Sequence, residues 1–230
     1  QPDYDCRQLS WTEWWNASDR KLKTTDKLTQ QVISFLNNLK KSDIILVGHS
    51  MGGWLALSVA ADLPGKISKL VIVDAAPFPG GLYQDITPEQ AAAQAAQLDD
   101  YLNQMSDEQY RAFDRQRMSM LIENESWREQ LINWSVRYSR SGIIGLMSSM
   151  AASDLRPKLP RIQAETLVVA SGKIAGHFGV SRQAFFDRLQ EQYRTLENCR
   201  IILAEKAGHF IMIDEVDWFE STLKSFLAFR

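Results

Sequence analysis

The 230-residue sequence predicts an α/β protein: a doubly wound, mostly parallel sheet interrupted by a helical insertion. Three observations carry that expectation. Four short runs, DIILV at 43–47, KLVIVD at 69–74, TLVVA at 166–170 and RIILA at 200–204, are continuous and rich in Ile, Val and Leu, as strands covered on both faces should be. Helical patterns separate them. The interval from Asp74 to Thr166 is far longer than one crossover helix needs.

Taken in order, Leu28, Val32, Phe35 and Leu39 fall on one face of a first helix, and a second helix continues from Met51. The long interval carries helix-start signals. TPEQ at 87–90 offers Thr87 as cap, Pro88 in the first turn and Gln90 to close a capping box; SDEQ at 106–109 and SWRE at 126–129 repeat the pattern. Ala91, Ala95, Leu98, Leu102 and Met105 make an apolar stripe on the first of these helices. Residues 84–153 are therefore read as a helical cap of three or four helices, with 1–83 and 154–230 forming the core. After TLVVA, Phe185, Leu189, Tyr193 and Leu196 share a face, and Val216, Phe219, Leu223 and Phe226 do so near the end.

Lys+Arg 26 against Asp+Glu 28 leaves a formal charge of −2, which gives no electrostatic footprint for nucleic acid. No apolar stretch approaches the roughly 20 residues a membrane-spanning helix requires. Cys6 and Cys199 make no metal-ligand spacing; one disulfide and two separate thiols are both compatible with them. Oligomeric state is not legible, and the compartment is left between cytoplasm and periplasm.

The chemistry concentrates in ILVGHSMGGWLAL, 45–57. Gly48-His49-Ser50-Met51-Gly52 is a Gly-x-Ser-x-Gly motif set where a buried strand becomes a helix. A turn that tight crowds the serine, so Gly48 and Gly52 are expected to be elbow glycines lacking side chains for steric reasons. The helix beyond it aims the Met51 N–H and a positive dipole end at any oxyanion forming beside Ser50. A serine nucleophile needs a base. His209 lies in a loop after the last strand, where ligands collect in doubly wound sheets; His49 is within the turn and His177 within a glycine-containing loop. The alternative readings are a turn that merely contains serine and a loop histidine facing solvent.

Strand–GHSMGG–helix, the helical insertion after the next strand and the late AGH before a terminal helix resemble the α/β-hydrolase superfamily over essentially residues 24–230. They are most like a bacterial branch with LVIVD…PF after the elbow, DLRP after the cap and HFIM.D at the end. The resemblance implies a Ser–acid–His order, with the acid usually after the strand matching TLVVA. This sequence departs from that, since SGKIAGHFGVS at 171–181 has no Asp or Glu. The superfamily's other acid position is filled by Asp74, closing LVIVD; Asp214 is the runner-up, and reads more naturally as a cap for the last helix. Asp74 could instead cap the turn-rich DAAPFPGG.

The implied activity is cofactor-free hydrolysis of an ester or related acyl bond in a small molecule, by Ser50, His209 and Asp74, in the manner of a carboxylesterase. A non-catalytic ligand- or partner-binding module, and an acyltransferase or lactonase with the same residues, are the alternatives. His49, Phe78, Met147, Met150, Phe178 and Phe210 are candidates for the substrate pocket. Family members carry four strands and a second oxyanion donor ahead of the elbow strand. Those strands need on the order of 50 residues, and only 42 precede DIILV here, 24–40 being already helical. The chain is accordingly read as a fragment, or else a reduced variant. Trp11, Trp14 and Trp15 in that segment read as aromatic packing over a cleft, or as a lipid- or sugar-binding platform.

Overall fold

A computed structural model describes residues 25–39, 41–135 and 140–228. Cys6 and the Trp11–Trp14–Trp15 cluster lie outside them. In chain order the first half contains α1 (Thr25–Asn38), β1 (Ile44–His49), α2 (Met51–Asp62), β2 (Ile67–Val73), α3 (Pro88–Gln104), α4 (Asp107–Leu121), α5 (Glu125–Ser135) and α6 (Arg140–Ala151). It continues with β3 (Glu165–Ser171), α7 (Ile174–His177), α8 (Arg182–Tyr193), β4 (Cys199–Ala204), α9 (Ile211–Asp214) and α10 (Val216–Ala228).

The four apolar runs pair in parallel, in the order β1-β2-β3-β4. Side chains alternate across a pleated strand, so each run supplies two cores. Leu70, Ile72, Val168 and Ala170 join Leu36 of α1, Trp54 and Leu57 of α2, and Phe185 and Leu189 of α8 on one face. Val71, Val73, Leu167 and Val169 meet Phe219, Leu223 and Phe226 of α10 on the other. The sheet is thus wound on both sides. β1 differs from the expectation that every strand is buried on both faces: among the described residues it is a sheet edge, and Val47 is 52% exposed.

Four α-helices lie between β2 and β3 among the described residues. Both capping boxes read at Thr87 and Ser106 are present, each with its reciprocal glutamine. The third start is shifted. Ser126 lies inside α5, and Asn124 provides the cap, its Oδ1 accepting from the Ser126 N–H at 3.1 Å. Two stripe positions also miss the interior: Leu98 is 51% and Val216 48% exposed. Among the described residues no neighbour covers either side chain, and periodicity cannot reveal where a neighbour stops.

At the elbow, a Cβ added to Gly48 would stand 2.2 Å from the Gly52 carbonyl oxygen, inside van der Waals contact with backbone that cannot yield. Gly52 is a correction to the motif reading: a Cβ there meets no described atom within 4 Å. The second crowded position is Gly53, whose Cβ would lie 2.8 Å from that of Ala75 and 3.0 Å from the Gly48 carbonyl oxygen. Gly48→Ala and Gly53→Ala should each destabilise the protein by about 1–3 kcal/mol or more, as overpacked cores do, and Gly52→Ala should stay within about 0.5 kcal/mol. Chemical denaturation of the three variants checks this ranking; equal losses at 52 and 53 would refute it.

Candidate active site

Parallel strands end on the same rim, so the residues just past β1, β2 and β4 converge there. Ser50 comes directly after β1 at φ 55° and ψ −123°, a positive-φ conformation rarely taken by a residue with a side chain. Its N–H donates to the Val73 carbonyl at 2.9 Å, and its own carbonyl accepts from the Gly53 and Trp54 N–H groups at 2.9 and 3.0 Å. The serine is therefore the joint between the sheet and α2. Met51 is the first residue of that helix, and its N–H is among those that helical geometry leaves without an intrahelical acceptor.

Asp74 comes directly after β2, also with positive φ (46°), its N–H donating to the Val169 carbonyl at 2.7 Å. One carboxylate oxygen accepts from the Ser171 N–H at 2.8 Å; the other accepts from His209 Nδ1–H at 2.6 Å. The pair is well shielded, with side-chain exposures of 7% for Asp74 and 17% for His209. Donation from Nδ1 leaves Nε2 as the acceptor of a neutral ring. Ser50, Asp74 and His209 line one cavity of about 140 Å³. Its remaining wall is mostly apolar, from Leu82 and Tyr83, Met150 of α6, and Phe185 and Leu189 of α8.

The loop after β2 is fixed from below. Buried Gln192 accepts from the Phe78 N–H and donates to the Phe78 carbonyl, both at 3.0 Å, and the Tyr193 hydroxyl donates to the Ala75 carbonyl at 3.0 Å. Ser171, closing β3, donates its hydroxyl to the Ala207 carbonyl at 2.8 Å and so ties the Asp74 neighbourhood to the histidine loop.

A model of the Alpha/beta hydrolase family matches residues 7–222. The chain belongs to that family. Among the hydrolases it is similar to, a Haemophilus influenzae protein named "Putative esterase/lipase" is 38% identical over 52 residues, 23% of this chain and 18% of the relative. The match thus spans about a fifth of that curated relative's length. An esterase from Exiguobacterium antarcticum superposes with a TM-score of 0.71 at 22% identity, covering 89% of this chain and 74% of that one. The enol-lactonase from Burkholderia xenovorans LB400 does so at 0.63 and 18%, covering 91% and 75%. No helix among the described residues is long and apolar enough to cross a membrane.

Of the pocket residues read from the sequence, Met150 lines the cavity and the others stand elsewhere. Phe78 is buried beneath the turn at Pro79–Gly81, with the Arg156 guanidinium over its ring; Met147 is 40% exposed. Phe178, 55% exposed, stacks outside Tyr83, and Phe210 packs against His49. His177 is exposed on α7. Asp214 does not cap the last helix; its carboxylate accepts from the Glu123, Asn124 and Gly208 N–H groups. Sequence reasoning missed Tyr83, whose hydroxyl is pushed up from its ordinary range by burial and then by the charge of Asp74. It also missed that Phe185 and Leu189, legible as a core stripe, double as cavity wall.

His49 is not pocket wall either. Its Nε2–H donates to the His209 carbonyl at 2.9 Å, with ring centroids 4.6 Å apart. Burial, then the neighbouring His209, lower its pKa from 6.5 to about 4. Between those values the unfolded chain holds a proton that the folded protein refuses, so stability should be complete above pH 6.5 and fall as pH drops towards 4. His49→Gln keeps a donor and removes the titration. Urea midpoints at about pH 7 and 4.5 should therefore drop more in the wild type than in the variant; equal drops would contradict the assignment.

Proposed function

We propose that this hydrolase cleaves an ester or related acyl bond through an acyl-serine. Ser50 Oγ attacks the acyl carbonyl as His209 Nε2 takes its proton, while Asp74 holds the ring through Nδ1 and stabilises the imidazolium. The tetrahedral oxyanion forms against the start of α2, where the Met51 N–H donates to it. His209 then returns the proton to the leaving alcohol as the carbonyl re-forms. Water, deprotonated by the same ring, attacks the acyl-serine, and the ring returns that proton to Ser50 Oγ as the acid leaves.

The observation that supports this reading best is the 2.6 Å bond between His209 and Asp74 on the cavity wall that also carries Ser50. The esterase and esterase/lipase relatives fit the same chemistry. In this reading residues 84–153 act as the cap, α6 closing the acyl side through Met150. Ser50→Ala should abolish p-nitrophenyl ester turnover and fluorophosphonate labelling. Asp74→Asn should lower kcat by roughly 10²–10⁴-fold, since the ring loses its enforced tautomer. A Ser50→Ala protein that labels and turns over like the wild type would end the proposal.

The space beside Ser50 favours a short acyl group. An enclosed apolar cavity of about 150 Å³ holds a benzene ring, and the partly open space here, about 140 Å³, is of that order. Across straight-chain p-nitrophenyl esters, kcat/KM should peak at about two to six acyl carbons and fall beyond about eight. A steady rise to about twelve carbons would show that another surface binds the chain.

A further inference from the structure

The backbone of His209 is held by groups that the proposed chemistry does not use. Its N–H donates to the carbonyl of Leu121, the last residue of α4, at 2.7 Å. Beside it, the Asp214 carboxylate gathers donors from two separate segments. Gly208 N–H reaches Oδ2 at 2.8 Å, and the Glu123 and Asn124 N–H groups reach Oδ1 at 3.1 and 2.9 Å. The contact admits no side chain at 208, where a Cβ would stand 2.6 Å from the Leu121 carbonyl oxygen and 3.2 Å from Asp214 Oδ2. Asn124 caps α5, so the carboxylate also faces the positive end of that helix.

We infer that Asp214 is a positioning residue for His209: by bonding the α4–α5 turn to the Gly208 amide, it holds the imidazole in line with Asp74 only while α4 and α5 are seated on the sheet domain. This rests on the reading of His209 as the base. Lose the carboxylate and three backbone donors lack their acceptor at once, which leaves the His209–Leu121 bond to tie the loop to the end of α4. A displacement of about 1 Å at a reacting group costs on the order of 10²-fold in rate, so the effect belongs in kcat. Apart from His209 itself, the acyl cavity is lined by other segments, so KM should move far less than kcat.

The test compares the wild type with Asp214→Ala and Asp214→Asn by ester kinetics and by the low-field proton resonance of His209 Nδ1–H, which His209→Gln and Asp74→Asn identify by deleting it. Asp214→Ala should lower kcat by roughly 10- to 100-fold with KM within about threefold, and should shift or broaden the resonance. Asp214→Asn keeps one acceptor and should recover part of both. An Asp214→Ala protein with kcat within about twofold of wild type and an unmoved resonance would overturn the inference, whatever its melting temperature. If that variant does not fold, Gly208→Ala, which pushes the same loop off Leu121, is judged by the same two readouts. Absence of ester turnover in the wild type would count against the proposed function, and the resonance would still decide the role of Asp214.

Discussion

Helix α2 starts almost in contact with the strand it has just left, and much else depends on that closeness. Gly48 and Gly53 let two backbones approach where no side chain fits, and the chain can make the turn between them only with Ser50 at positive φ. Such a conformation costs on the order of 1–3 kcal/mol. It is offset by what the turn makes possible: a ladder bond from Ser50 to β2, two bonds into α2, and burial of Trp54, Leu57 and Val59 on the sheet. The strain is held in place from both sides, and it presents the hydroxyl at the rim of the cavity.

The other two members of the proposed triad reach that rim by different means. Asp74 is fixed by the strands themselves, through Val169 and Ser171. His209 sits on a loop with no regular structure, and its position is over-determined by long-range bonds: to His49 in the elbow, to Leu121 at the end of α4, and to Asp74 through the ring. A loop residue can be placed as well as a strand residue when enough independent segments hold it.

Much of this was legible in the sequence where local chemistry and tertiary outcome agree. Uninterrupted Ile/Val/Leu runs have few alternatives to buried parallel strands, and the boxes at Thr87 and Ser106 satisfy helix donors wherever the helix packs. The Asp74 and His209 positions are consequences of strand ends sharing a rim. What failed depended on distant segments. The spacing of Gly-x-Ser-x-Gly points to Gly52, but the direction in which α2 departs makes Gly53 the crowded one. DEVDWF has the local chemistry of a helix start, yet Asp214 turns to donors more than eighty residues away. Aromatic and methionine side chains such as Phe78, Met147 and Phe178 signal apolar surroundings without saying which side of a loop they face.

Ser171 and Asp74 close adjacent, in-register strands and are joined by a single hydrogen bond. The Ser171 hydroxyl is meanwhile spent on the Ala207 carbonyl and on the Lys173 and Ile174 N–H groups. One residue at the end of β3 therefore clamps the carboxylate with its backbone and the approach to the imidazole with its side chain. A shift of that strand end would carry both partners of the His209–Asp74 bond with it, so the pair can keep its spacing while the sheet breathes.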